Sequence, residues 1–167
     1  GKVLNKLTEL GIEEDTIIIF MTDNGPQQFR YNSNMKGLKG TVYNGGTRVP
    51  FYIKYAGKFK NSKVINRMSA HIDVLPTILE LCNLNVTNDR KIDGQSLVPL
   101  INSKTFNDRY LFSYWTRRFP EKYINMSIQN DNYKLVGNND YNGKIKDFEL
   151  YDLIADPLES KNVINQN

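Results

Sequence analysis

The sequence predicts an α/β fold, a sheet flanked by helices, followed by a small antiparallel α+β subdomain. Three observations carry this expectation. A helical pattern leads through a short link into "TIIIFMT" at 16–22, which together make half of an α/β unit. A second strand-like stretch, "RVPFYIKY", and a second helical stretch, "HIDVLPTILELC", follow at 48–55 and 71–82. Beyond about residue 105 the texture changes to short aromatic or β-branched stretches separated by turn residues, as in a meander. The chain is therefore divided into 1–105 and 106–167.

Each element has its own reason. Val3, Leu4, Leu7 and Leu10 recur at helical spacing, and Gly11 stands where a helix would stop. The run at 16–22 is continuously apolar and β-branched, which suits a strand buried on both faces, as in a parallel sheet covered by helices. From Gly25 to Gly46 the chain is polar and glycine-rich without either period, a long connection that compact domains keep for functional purposes. Pro50 stands at the start of the second strand, where its missing donor is tolerable. In the second helix Asp73 can cap, Pro76 falls in the first turn, and Leu75, Ile78, Leu79 and Cys82 are expected to share a face. "GQSLVPLI" reads as a short helix or turn. "RYLFSYW", "YINMSIQ", "NYKLVGN" and "FELYD" read as the strands of the meander.

Composition narrows the function classes. With 40% hydrophobic and 24% charged residues the chain is globular rather than disordered. The 22 basic and 18 acidic residues leave +4, without a basic stripe or nucleic-acid motif, so no nucleic-acid partner is expected. No apolar run approaches the roughly 20 residues needed to span a bilayer, and no leader is visible in this chain. A single cysteine, Cys82, excludes an internal disulfide and a cysteine-built zinc site. Two glycosylation sequons, at 85–87 and 125–127, are a pattern that chance often supplies in an Asn-rich chain.

The chemistry gathers around "TIIIFMTDNG" and "KGLKGTVYNGGTRVP". Asp23 and Asn24 stand where an apolar strand runs out, and in open α/β sheets ligands collect beyond that edge. A bare Asp-Asn-Gly is ordinarily a turn. A Ca²⁺ ion, however, takes about 6–8 hard oxygen donors, of which a carboxylate and an amide carbonyl can be two. Together with "SAHIDVLPTILELC", "NYKLVGN" and "LYDLIADPLESKNVI", these stretches resemble, in family order, the C-terminal part of the type I sulfatases.

The resemblance implies an alkaline-phosphatase-like sheet, with 1–105 as the C-terminal part of the catalytic domain. It implies Asp23 and Asn24 as metal ligands for Ca²⁺, and Lys39 as the sulfate-contacting, catalytic lysine. A compact ammonium there would bind sulfate oxygens and stabilise charge on the leaving ester oxygen. The alternative for Lys39 is a solvated loop lysine, a role that suits the neighbouring Lys36 better. His71, the sole histidine, precedes the second helix and is a candidate substrate contact, with a satisfied structural role as the weightier alternative. Arg48 is expected to tie the loop to the fold, and Asn44, where the family often has Glu, to weaken one anchoring contact. The substrate class implied is a sulfate ester, including those of sulfated carbohydrates, and the compartment periplasmic, extracellular or lysosomal. Tyr114, Trp115 and Tyr123 are candidates for lining a sugar cleft or, as the preferred reading, for sheet packing.

Sulfatases of this type use a formylglycine made from Cys or Ser in a Cys/Ser-x-Pro-x-Arg motif. Cys82 lies in "LCNLNV" and does not match, and no Ser here begins such a motif. The expectation is a chain holding the second half of an active site, inactive alone and prone to self-association. The alternatives are a phosphodiesterase or phosphonate hydrolase of the same superfamily, and a non-catalytic binding or structural module.

Overall fold

The computed structural model describes residues 1–85, 91–117, 119, 123–138 and 143–166. The sequon at 85–87 lies partly outside them. The chain forms two units, one of residues 1–23 and 49–64, the other of 24–48 and 65–167.

In the first unit, α1 (Lys2–Glu9) ends as the sequence predicts, with Gly11 in the left-handed region at φ +68°. No residue of α1 is buried. β1 (Ile18–Met21) pairs with β2 (Phe51–Lys54) in a two-stranded antiparallel ladder, Ile19 opposite Ile53. The expected doubly covered parallel strand is thus corrected. The pairing is antiparallel, and Phe20 is 60% exposed beside Tyr52. A β-branched run favours a strand but does not encode which neighbour completes its ladder. The link is held by Lys54, which donates to Glu13.

In the second unit, a 3-10 turn (His71–Asp73) leads into α3 (Val74–Leu81), and α4 (Val98–Ile101) follows. The buried residues of α3 are Thr77 and Leu81, one turn apart and in line with Asp73. Leu75 and Cys82 are exposed, so the expected face is rotated. Polar anchoring turned it. The Thr77 hydroxyl donates to the Asp73 carbonyl and accepts the Leu97 N–H, so a threonine takes the inner position. Asp73 makes no side-chain cap of α3. Its carboxylate instead accepts the Ala70 and Gln95 N–H groups at 2.7 and 2.9 Å, and pairs in bidentate fashion with Arg109.

The meander is as the sequence predicts. β3 (Leu111–Tyr114), β4 (Met126–Gln129), β5 (Tyr133–Gly137) and β6 (Glu149–Asp152) form an antiparallel sheet in chain order. Alternation assigns its two faces. One carries Ser127, Lys134, Val136 and Tyr151, all buried, and Val42 of the glycine-rich connection packs there against Val136 and Tyr151. The hydrophobic core of the second unit therefore lies between the sheet and that connection. This places the connection, and everything it carries, on a sheet-built floor.

Candidate functional site

The glycine-rich connection is a folded structure with a short helix, α2 (Asn44–Thr47), inside it. Backbone hydrogen bonds close it on itself. Gly45 N–H donates to Lys36 O at 2.7 Å, Gly25 N–H to Gly46 O at 2.9 Å, and Lys39 N–H to Pro26 O at 3.0 Å. Gly45 is required by close approach, because a Cβ there would sit 2.1 Å from the Gly37 carbonyl oxygen. Gly37 has φ +84°, which a side chain would strain. These bonds bring the segment that follows Asn24 against the loop that carries Lys39.

The two lysines have different surroundings. Lys36 donates to the Tyr151 hydroxyl at 2.6 Å and to Glu149 at 3.1 Å, with its ammonium 4.2 Å from the Tyr43 ring centroid. It is committed to the sheet. Lys39 is exposed, and among the described residues its ammonium has no ion-pair partner. Burial pushes the Glu149 carboxyl up, but the hydroxyls of Tyr151 and Tyr43 and the Lys36 ammonium outweigh it and hold it below the ordinary value. Burial, then Glu149, push both the Tyr43 and Tyr151 phenols up.

Asn44 is the opposite of a weak anchor. It is buried, its N–H donates to Glu159 Oε2 at 2.6 Å, its Nδ2 donates to Pro157 O, and its Oδ1 accepts from Lys134. Lys134 and Glu159 form an ion pair at 2.8 Å with both side chains fully buried. The carboxylate missing at position 44 is thus supplied by the C-terminal turn. Arg48, expected to tie the loop, is exposed, and its contribution is the backbone bond from its N–H to Asn44 O. Asn125 holds the loop's middle, accepting the Val42 N–H and donating to the Gly40 carbonyl. The amide of the second sequon is therefore already used.

His71 is exposed in the turn before α3, a scaffold fixed by Asp73 and Arg109 rather than by the loop. Trp115 is 43% exposed, with its ring against Gly40 and the Arg117 guanidinium over it. Asp23 ends the first unit and is exposed, and Asn24 opens the second and is half-buried. Their hard oxygens fit a divalent cation in kind but not in number. Among the described residues no group of three or more His, Cys, Asp or Glu gathers as a metal site.

Residues 38–167 match the family model of N-sulphoglucosamine sulphohydrolase, C-terminal. The chain belongs to the sulfatase family. It is 30% identical to a sulfatase of Formosa agariphila, over all of this chain and 33% of that protein. Two solved structures share its architecture at low identity. One is Ps i-CgsB in complex with k-i-k-neocarrahexaose, with a TM-score of 0.82 and 22% identity over 100% of this chain and 36% of that one. The other is BT4656 in complex with its substrate D-glucosamine-2-N,6-O-disulfate, with a TM-score of 0.66 and 24% identity over 99% and 33%. The fold is thus that of the sulfatases, alkaline-phosphatase-like, and the chain spans about a third of the length of the relatives it matches. These relatives favour the sulfatase reading over a phosphodiesterase or phosphonate hydrolase. No described helix is long and apolar enough to cross a membrane.

Proposed function

We propose that this chain is the C-terminal part of an active sulfatase, a sulfuric ester hydrolase whose substrates are sulfate esters of sugars. The observation that supports it most is the contrast between the two loop lysines, one locked to the sheet and one exposed, within a loop that matches the sulfatase pattern. Residues 1–105 then belong to the catalytic domain and 106–167 to a subdomain that supports it. The substrate class follows the ligands of two proteins of the same fold, k-i-k-neocarrahexaose in one and the substrate D-glucosamine-2-N,6-O-disulfate in the other.

In this reading the Lys39 ammonium holds a sulfate oxygen and neutralises charge on the departing ester oxygen. Asp23 and Asn24 would hold a calcium ion with donors from the remainder of the protein. Such an ion, when bound, supplies positive charge for the sulfate oxygens. The nucleophile, a formylglycine, comes from a Cys or Ser outside these residues. His71 contacts the substrate from the start of α3, and the part-exposed Trp115 gives a sugar ring an aromatic surface to lie on. A periplasmic, extracellular or lysosomal setting goes with this role.

The test is turnover of an aryl sulfate and of a 6-O-sulfated glucosamine by the complete gene product that carries these residues. Lys39→Ala is expected to lower kcat on the order of 10²–10³-fold, as for loss of one preorganised charge-stabilising group. Lys36→Ala is expected to act on stability, with a kcat loss of less than about 10-fold. Equal kcat losses from both would remove Lys39 from the site.

A further inference from the structure

Besides its bonds to the segment after Asn24, the loop around Lys39 is gripped by the C-terminal sheet and the turn that follows it. Lys36 is taken by Glu149 and Tyr151 of β6. Gly40 and Val42 are taken by Asn125, just before β4. Asn44 is taken by Glu159 and by Lys134 of β5. A further backbone bond runs from Lys36 N–H to Leu158 O at 3.2 Å. Lys39 therefore projects from a span pinned at both ends and in the middle.

Among these grips Glu159 is built at the greatest local cost. It is 1% exposed, carries a charge, and holds φ at +60°, where a non-glycine residue is uncommon. A buried carboxylate is sustained by its partners, here the Lys134 ammonium 2.8 Å from Oε1, which takes no hydrogen bond among the described residues, and the Asn44 N–H 2.6 Å from Oε2. Strained, buried groups persist where the surroundings over-determine them. What this arrangement over-determines is the first residue of α2. Asn44 N–H has no carbonyl of its own short helix to bond, so the Glu159 oxygen fixes where that helix begins. Gly45 N–H, the next in the chain, then reaches Lys36 O and closes the loop that carries Lys39.

We propose that Glu159 is a positioning residue for Lys39, setting through Asn44 the loop geometry in which the exposed ammonium is presented to substrate. This rests on the sulfatase reading of Lys39. A group held within tenths of an ångström of its working position contributes strongly, and misplacement by about 1 Å can cost on the order of 100-fold in rate.

A double-mutant cycle in the complete gene product tests this, using Glu159→Ala, Lys39→Ala and the double variant, with kcat and KM for an aryl sulfate. Glu159→Ala is expected to lower kcat on the order of 10- to 100-fold with little change in KM. Added to Lys39→Ala it should produce no further loss, because the two changes then remove one contribution. Amide exchange should rise across residues 36–46 and not in β3. Multiplying losses, or unchanged exchange in the loop, would overturn the proposal. Where Glu159→Ala is not recovered folded, Glu159→Gln keeps an oxygen for the Asn44 N–H. Its smaller loss must likewise vanish on the Lys39→Ala background, and a loss that persists there overturns the proposal. If Lys39→Ala alone leaves kcat intact, it is the sulfatase role of Lys39 that fails, a result distinct from multiplying losses.

Discussion

On Glu149 a single carboxylate oxygen, Oε2, accepts from the Tyr151 hydroxyl at 2.5 Å, the Tyr43 hydroxyl at 2.7 Å and Lys36 at 3.1 Å. Donors so placed favour the charged form, and they outweigh the burial that opposes it. The folded group therefore titrates below its ordinary value of 4.5. Its contribution to stability is present above that value and is lost as pH falls through the lower, folded one. The tyrosines run the other way. Their folded values lie above the ordinary 10.0, so their contribution is complete below 10.0 and is lost as pH rises through the raised values. The unfolding midpoint of the complete protein, followed from pH 7 down to about 3, should fall less steeply in Glu149→Gln than in the parent. Parallel acid limbs would show that this cluster does not couple protonation to folding.

At the scale of elements, α3 is attached by charge more than by apolar contact. Asp73 is fully buried, the Arg109 side chain is 9% exposed, and the pair ties the start of the helix to the segment leading into β3. Removing one partner leaves a buried charge uncompensated, so Arg109→Ala is expected to destabilise by about 3–5 kcal/mol. Calorimetry checks this, and a loss below about 1 kcal/mol would mean the pair is solvated in solution. Much else at this scale was legible in the sequence. Periodicity placed α1, α3 and the strands of the meander, and family-ordered motifs placed the lysine loop. Strand partners were not legible, because "TIIIFMT" carries the preference to be a strand without naming its neighbour. The inner face of α3 was misplaced because Thr77 outranks Leu75 through its hydrogen bonds, which hydropathy does not weigh. Lys134 did leave a signal. In "NYKLVGN" it alternates onto the face of Val136, and a lysine on a buried face demands a carboxylate. The sequence alone could not say that the carboxylate would be Glu159, about two dozen residues on.

At the scale of the whole molecule, each unit presents apolar surface that its own residues leave exposed. In the first, Val3 and Leu10 of the α1 stripe are 74% and 58% exposed, and Phe20 and Tyr52 stand open on the two-stranded ladder. In the second, Phe112 and Tyr114 alternate onto one face of β3, an edge strand, and both are exposed, as is Tyr110 just before it. The register continues that face from Phe112 through Ile128 and Leu135 to Leu150. Contiguous apolar surface of this kind favours association, and an unpaired strand edge adds to it. Relatives about three times as long have further chain with which to cover it. The 167-residue chain expressed by itself is therefore expected to self-associate and to leave aryl sulfates unhydrolysed, whereas the complete protein runs as a defined species with turnover. Light scattering across a concentration series separates the outcomes. A monodisperse monomer with a cooperative unfolding transition would make these residues an autonomous domain, able to satisfy its surfaces unaided. Hydrolysis by that purified chain would be the graver result, because no Cys or Ser here stands in the formylglycine motif, and the reaction would need a different nucleophile.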